Sequence, residues 1–173
     1  MQLPARRVRF RGQGEYRDEA ERLLEAAGDT AEVFRGRLRS LLLKCPDGCG
    51  LTIVVNLDPR ADKAWRIDTR KNECTLYPSV WLNDGCKSHF VVWRDHIVWC
   101  ERFATGNSEP EYDSALEDRV LDVLVAQTYR TSLEIALELD ELVWDIARVL
   151  RRLVARGSVK EGRGPLRDHF CKL

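Results

Sequence analysis

The feature that most restricts how this chain can fold is a pair of cysteine-bearing turns set far apart in sequence. The first is Cys45-Pro46-Asp47-Gly48-Cys49-Gly50 and the second is Cys86-Lys87-Ser88-His89. Each turn holds two soft ligands three or four positions apart. Gly and Pro between and beside them supply the backbone freedom and the rigidity that a tight turn needs. Three thiolates and one imidazole complete a tetrahedron, so the spacing predicts one structural zinc ion on Cys45, Cys49, Cys86 and His89. Cys74 or Cys100 is the alternative for one of these ligands. Four protein ligands leave no coordination position for a catalytic water. The His-x-Glu that precedes Pro-Cys-x-x-Cys in nucleobase deaminases is also missing.

The remaining cysteines fit a reducing compartment. The opening Met1-Gln2-Leu3-Pro4-Ala5-Arg6-Arg7 lacks the apolar core of a signal peptide, and the apolar runs are shorter than a membrane span. A cytoplasmic location follows, where thiols stay reduced or bind metal. Cys74 and Cys100 fall in strand-like runs. Cys100, next to Trp99, is the candidate reactive thiol, although no basic neighbour in sequence lowers its pKa. Lys plus Arg equals Asp plus Glu at 28 each, so no global field draws the protein to nucleic acid or to an anionic membrane.

Hydrophobic period divides the chain into residues 1–103, a linker over 104–113 and a helical part over 114–173. Val8 and Phe10 alternate with arginines, as in an edge strand. Ala20, Leu23, Leu24 and Ala27 share one face of an amphipathic helix that Gly28 ends. Strands are then predicted at 31–34, 37–44, 51–57, 64–67 and 74–77, with Pro78-Ser79-Val80-Trp81 turning the chain toward the second cysteine turn. Residues 90–93 and 97–103 read as a hairpin about Arg94-Asp95-His96. Trp65, Trp81, Trp93 and Trp99 are expected in the core of this β domain.

Beyond the linker, Ser114 with Glu117 and Thr131 with Glu134 fit capping boxes, and Asp140 is placed to cap a third helix that Gly157 terminates. Ser158-Val159-Lys160 followed by Glu161-Gly162-Arg163-Gly164-Pro165 reads as a strand and a wing. Leu150–Val159 looks like the third-helix-to-wing passage of winged helix-turn-helix domains. The helix expected to read DNA opens Asp140-Glu141-Leu142-Val143-Trp144-Asp145, whose acids repel phosphates. From Ser114 to Leu173 there are ten basic and ten acidic residues, without the excess a nucleic-acid footprint carries. Protein contact through Trp144, Arg148, Arg151 and Arg152 is therefore the leading expectation, and DNA binding the alternative.

Arg39-Ser40-Leu41, the first cysteine turn, Leu57, Trp65, Leu76-Tyr77-Pro78-Ser79-Val80, Cys86-Lys87-Ser88-His89-Phe90 and Ile97-Val98-Trp99-Cys100 together resemble a bacterial family of unassigned function. Its members are encoded in some genomes beside ubiquitin-like proteins and their conjugation enzymes. The resemblance spans about 28–103 and implies a zinc-binding β domain near such a pathway. The family's first turn often reads Cys-Pro-Cys-Gly-Cys, and Asp47 in the middle place argues against an indispensable ligand there. The combined expectation is an α+β chain with an N-terminal zinc-ribbon-like antiparallel β domain and a C-terminal winged helix-turn-helix. It is expected to act as a non-catalytic adaptor that docks a partner protein, a ubiquitin-like conjugation component or its target, and binds no membrane, with a DNA-binding regulator or a zinc or thiol enzyme as rivals.

Overall fold

The computed structural model of the protein describes residues 4–100 and 106–173. Residues 1–3, the end of the last predicted β strand (101–103) and the first two predicted linker positions (104–105) lie outside them. The chain is mixed α+β and divides into two units, Met1–Pro110 and Glu111–Leu173.

The first unit is built on a sheet of order β1-β2-β3-β4, formed by Arg9–Gly14, Asp29–Phe34, Leu38–Lys44 and Thr52–Asn56. Its middle strand β3 carries Leu41-Leu42-Leu43, all buried. A continuous apolar run is what a strand covered on both faces requires. Leu42 joins Ala31, Val33, Ala20 and Leu24 on one side. Leu41 and Leu43 pair with Val55 and Ile53 across to β4 and face the larger core on the other. That core is completed by Val80, Phe90, Val92, Ile97 and Trp99. They come from a second sheet of order β7-β8-β9: Val80–Trp81, His89–Trp93 and His96–Trp99. Between the two sheets in sequence, β5 (Arg66–Asp68) and β6 (Thr75–Tyr77) form a short antiparallel pair.

Two local expectations change. The first helix, α1, is only Arg17–Glu21, because the Asp29 carboxylate accepts the amides of Glu25 and Ala26 at 3.1 and 2.9 Å and bends the chain there. The segment it occupies is a crossover, so β1 runs parallel to β2 and the domain is not wholly antiparallel. Of the four tryptophans expected in the core, Trp93 and Trp99 are buried and Trp65 is packed against it, but Trp81 is 64% exposed.

The second unit contains α2 (Ala115–Val123), β10 (Arg130–Thr131), α3 (Ser132–Leu139), α4 (Val143–Ala155), β11 (Val159–Glu161) and β12 (His169–Lys172). Leu116, Val120, Ile135, Ile146, Leu150 and Leu153 are buried between the helices, and β12 pairs with both β10 and β11. Thr131 and Glu134 form the expected reciprocal cap, with Oγ1 accepting the Glu134 amide at 3.2 Å and the Glu134 carboxylate accepting the Thr131 amide at 2.7 Å. Gly157 ends α4 at φ 75°. Its amide and that of Ser158 bond the carbonyls of Val154 and Leu153 at 3.0 Å, a Schellman closure.

Two other caps differ. Ser114 makes no side-chain cap; Asp113 accepts the Ala115 amide at 3.0 Å, while Glu117 is engaged by the Tyr112 hydroxyl and by Arg156. Asp140 closes α3 in the left-handed region, and Leu142 occupies the N-cap of α4. No described helix is long and apolar enough to cross a membrane.

Candidate active site and metal centre

The two cysteine turns meet. Cys45 directly follows β3, and its amide donates to the Leu51 carbonyl at 2.8 Å, closing the loop that returns the chain to β4. Gly48 and Gly50, at φ 85° and 87°, make the turn that aims Cys49 back toward Cys45. Cys86 lies in the connection from β7 to β8. Ligand atoms of Cys45, Asp47, Cys49 and Cys86 all lie within 4.8 Å of one another. Sγ of Cys45 and Cys86 are 3.7 Å apart, and Cys45 Sγ is 3.3 Å from Asp47 Oδ1. Zn–S bonds of about 2.3 Å at a tetrahedral angle imply sulfurs roughly 3.8 Å apart, so this donor set fits one zinc ion.

Burial and hydrogen bonding within the group set the charge of its members. Burial pushes the Cys45 thiol far above its ordinary range, and burial followed by the Asp47 hydrogen bond raises Cys49. For Asp47, burial works upward but is outweighed by hydrogen bonds from the Cys49 side chain and amide and from the other thiols, which hold the carboxyl below its usual value. Its Oδ1 also accepts the Cys49 amide at 2.7 Å, which fixes the turn. Asp47 is thus the member of the group that spacing did not supply.

His89 stands elsewhere. Its Nε2 is 3.0 Å from Ser79 Oγ, and its ring stacks on Trp81 with centroids 5.3 Å apart. Strand register explains both contacts. Val80 pairs with Phe90 and Trp81 with His89, so Ser79, Trp81 and His89 share one face, with Ser79 diagonal to His89. The Leu82 amide donates inward to Ser88 and the Cys100 amide to the His89 carbonyl, both at 2.9 Å. Bonds alternate along an antiparallel pair, which makes Trp81–His89 a pair without direct ladder bonds and brings their side chains closer. Ser79 is itself anchored: Trp65 Nε1 donates to its carbonyl at 3.3 Å.

Cys74 and Cys100 are not in the metal group. Cys74 lines a cavity of about 360 Å³ with Glu32, Ile67 and Asp95; burial first, then the nearby carboxylates, push its thiol up to about 12. Cys100 lies opposite His89 across β8–β9.

In the second unit, Arg148 is only 8% exposed. It donates to the Glu111 carbonyl at 2.8 Å and lies over the Tyr112 ring, with Asp145 3.8 Å away. Arg152 also lies over the Tyr112 ring, at 3.8 Å from its centroid, Arg151 is exposed, and Trp144 is half-buried.

Residues 16–100, just under half of the chain, match the family described as "Bacterial ubiquitination-like system serine protease (BubE)", which links this stretch to bacterial ubiquitination-like systems. No curated protein and no solved structure matches the chain.

The matched stretch contains the metal group, Ser79 and His89. The signal for Ser79 was present in the sequence as Pro78-Ser79-Val80 beside Cys86-Lys87-Ser88-His89, but its partnership with His89 is a property of strand register.

Proposed function

We propose that the first unit is a serine peptidase of a bacterial ubiquitination-like system, with Ser79 as nucleophile and His89 as general base. The observation that carries this reading is the 3.0 Å contact between Ser79 Oγ and His89 Nε2, within the reach a nucleophile and its base require. The substrate class is a peptide bond in a protein of such a system. As Oγ bonds the scissile carbonyl carbon, its proton passes to Nε2. The C–N bond then breaks and the amine leaves with that proton. Water, deprotonated by the same imidazole, releases the acyl group. Trp81 restrains the imidazole from one face, and Trp65 holds the backbone of Ser79.

Cys45, Asp47, Cys49 and Cys86 are suited to hold one structural zinc, in place of the set with His89 expected from spacing. When bound, the ion supplies a crosslink between the turn after β3 and the β7–β8 connection. Holding that connection sustains the strand register that aligns Ser79 with His89. This reading replaces the non-catalytic adaptor expected from the sequence, because the matched family is described as a protease.

The test is labelling with a small fluorophosphonate, followed by peptide mapping. Modification at Ser79 is expected, with a rate reduced at least about 1,000-fold in His89→Ala and no reaction in Ser79→Ala. Modification that persists in Ser79→Ala and disappears in Cys100→Ser would transfer the nucleophile to Cys100.

For the second unit we propose a winged helix-turn-helix that docks a protein. Three helices followed by the β11–β12 hairpin support the architecture. Arg151 and Arg152 are exposed and Trp144 is half-buried, so these are the contact residues proposed for that docking, while Arg148 is buried against Tyr112, Glu111 and Asp145. Salt-dependent binding to random duplex DNA would count against that reading.

A further inference from the structure

We propose that the outer edge of β7 is the substrate-binding edge, on which an extended polypeptide segment adds as a further strand beside Ser79. The inference rests on the peptidase reading above and names how its substrate is held.

The edge is open at one defined residue. In the sheet of order β7-β8-β9, β7 has a described neighbour on one side only. The inward Leu82 to Ser88 bond and the register place Val80 and Leu82 as the residues bonded to β8. The N–H and C=O of Trp81, between them, therefore point away from β8. Among the described residues none bonds either group. At Ser79, by contrast, the outward carbonyl already accepts Trp65 Nε1. At Ser79 the edge is closed by the indole, at Trp81 no described residue bonds it, and Ser79 sits at the boundary.

An unpaired N–H and C=O on a strand edge are a template for another extended chain. Two residues of strand separate Trp81 from Ser79, about 7 Å along the strand. A segment paired to Trp81 thus delivers a carbonyl about two residues away to the hydroxyl. The acyl side of the substrate is the side held, because it stays bonded to Ser79 through both half-reactions whereas the amine departs after the first. The recognition is of main chain, so the substrate must present an unfolded tail or loop at this position.

The experiment compares labelling of Ser79 by three reagents: a single-residue aminoalkyl diphenyl phosphonate, acetylated tripeptidyl phosphonates of mixed side chains, and the same tripeptides methylated on one amide nitrogen at a time. The tripeptides are expected to react about tenfold faster than the single residue, and methylation of one particular amide to abolish that gain while its neighbours tolerate it. Trp81→Pro removes the outward N–H and also the ring stacked on His89, so each variant is judged by its own ratio of tripeptide to single-residue rate. Trp81→Pro is expected to lose the roughly tenfold ratio, Trp81→Ala, which loses the ring but keeps the N–H, to retain it, and Trp81→Phe to retain it as well. Reaction of the single-residue reagent at Ser79 with no effect of methylation or of Trp81→Pro would overturn the edge alone. Failure of every reagent, the small fluorophosphonate included, to reach Ser79 would overturn the peptidase reading and the edge with it.

Discussion

The two units use polar groups in opposite ways. In the first, the groups with chemistry are gathered from distant positions: Cys45 with Cys86, and Ser79 with His89, are brought together by sheet register and by one loop. In the second, the charged residues near α4 serve mainly to hold the unit itself. Arg148 and Arg152 both lie over Tyr112, whose hydroxyl donates to Glu117, which is also paired with Arg156. The difference teaches that an abundance of arginines on a helix is a weaker sign of a site than a few small side chains held across strands.

The comparison is most severely tested at the metal group. Cys86→Ser removes one of the four proposed zinc donors, and we expect loss of stoichiometric zinc and of at least about 3 kcal/mol of stability in the first unit. Metal analysis with calorimetry measures this. An unchanged melting transition in zinc-free protein would mean that the thiols carry no structural role. In the second unit, Leu150→Ala empties a fully buried position and should cost about 2–5 kcal/mol, while zinc content and Ser79 labelling stay as in the parent.

A smaller effect is expected at Asp29, where the chain leaves the crossover. Its carboxyl is subject to burial, which works upward, but the amides of Ala26 and Glu25 and the charges of Arg9 and Arg11 hold it below the usual aspartate value. A group with a depressed folded pKa stabilises above its unfolded pKa and loses that contribution as pH falls through the folded one. Asp29→Asn should therefore lower stability by about 2 kcal/mol at neutral pH and narrow toward the parent below about pH 4, measured by urea unfolding at several pH values. The smallest effect is Thr131→Ala, about 1 kcal/mol in the second unit from the lost cap, read by the same unfolding curves. A loss there that also abolished Ser79 labelling would break the separation between the units.

Several elements were legible because their signals are local. The alternation and apolar runs of β2, β3, β4, β6 and β8, the Thr131–Glu134 cap and the Gly157 stop each depend on residues within a few positions of one another. The partnership of the two cysteine turns was legible too, since soft ligands at turn spacing have few other uses. What stayed hidden was the choice among equivalent partners. Asp29 shortened α1 through bonds to amides that precede it, and Glu117 went to Tyr112 and Arg156 instead of to a cap at Ser114.

By itself the sequence determined most strands of the first unit, the Thr131 cap and the Gly157 stop, and the meeting of Cys45, Cys49 and Cys86, because periodicity and ligand spacing act over short stretches of chain. Only the tertiary structure decided that Asp47 joins the sulfurs while His89 turns to Ser79. The reason is geometric: which face of a strand a side chain occupies, and what lies diagonal to it, is set by a register in which a shift of one residue reverses every contact.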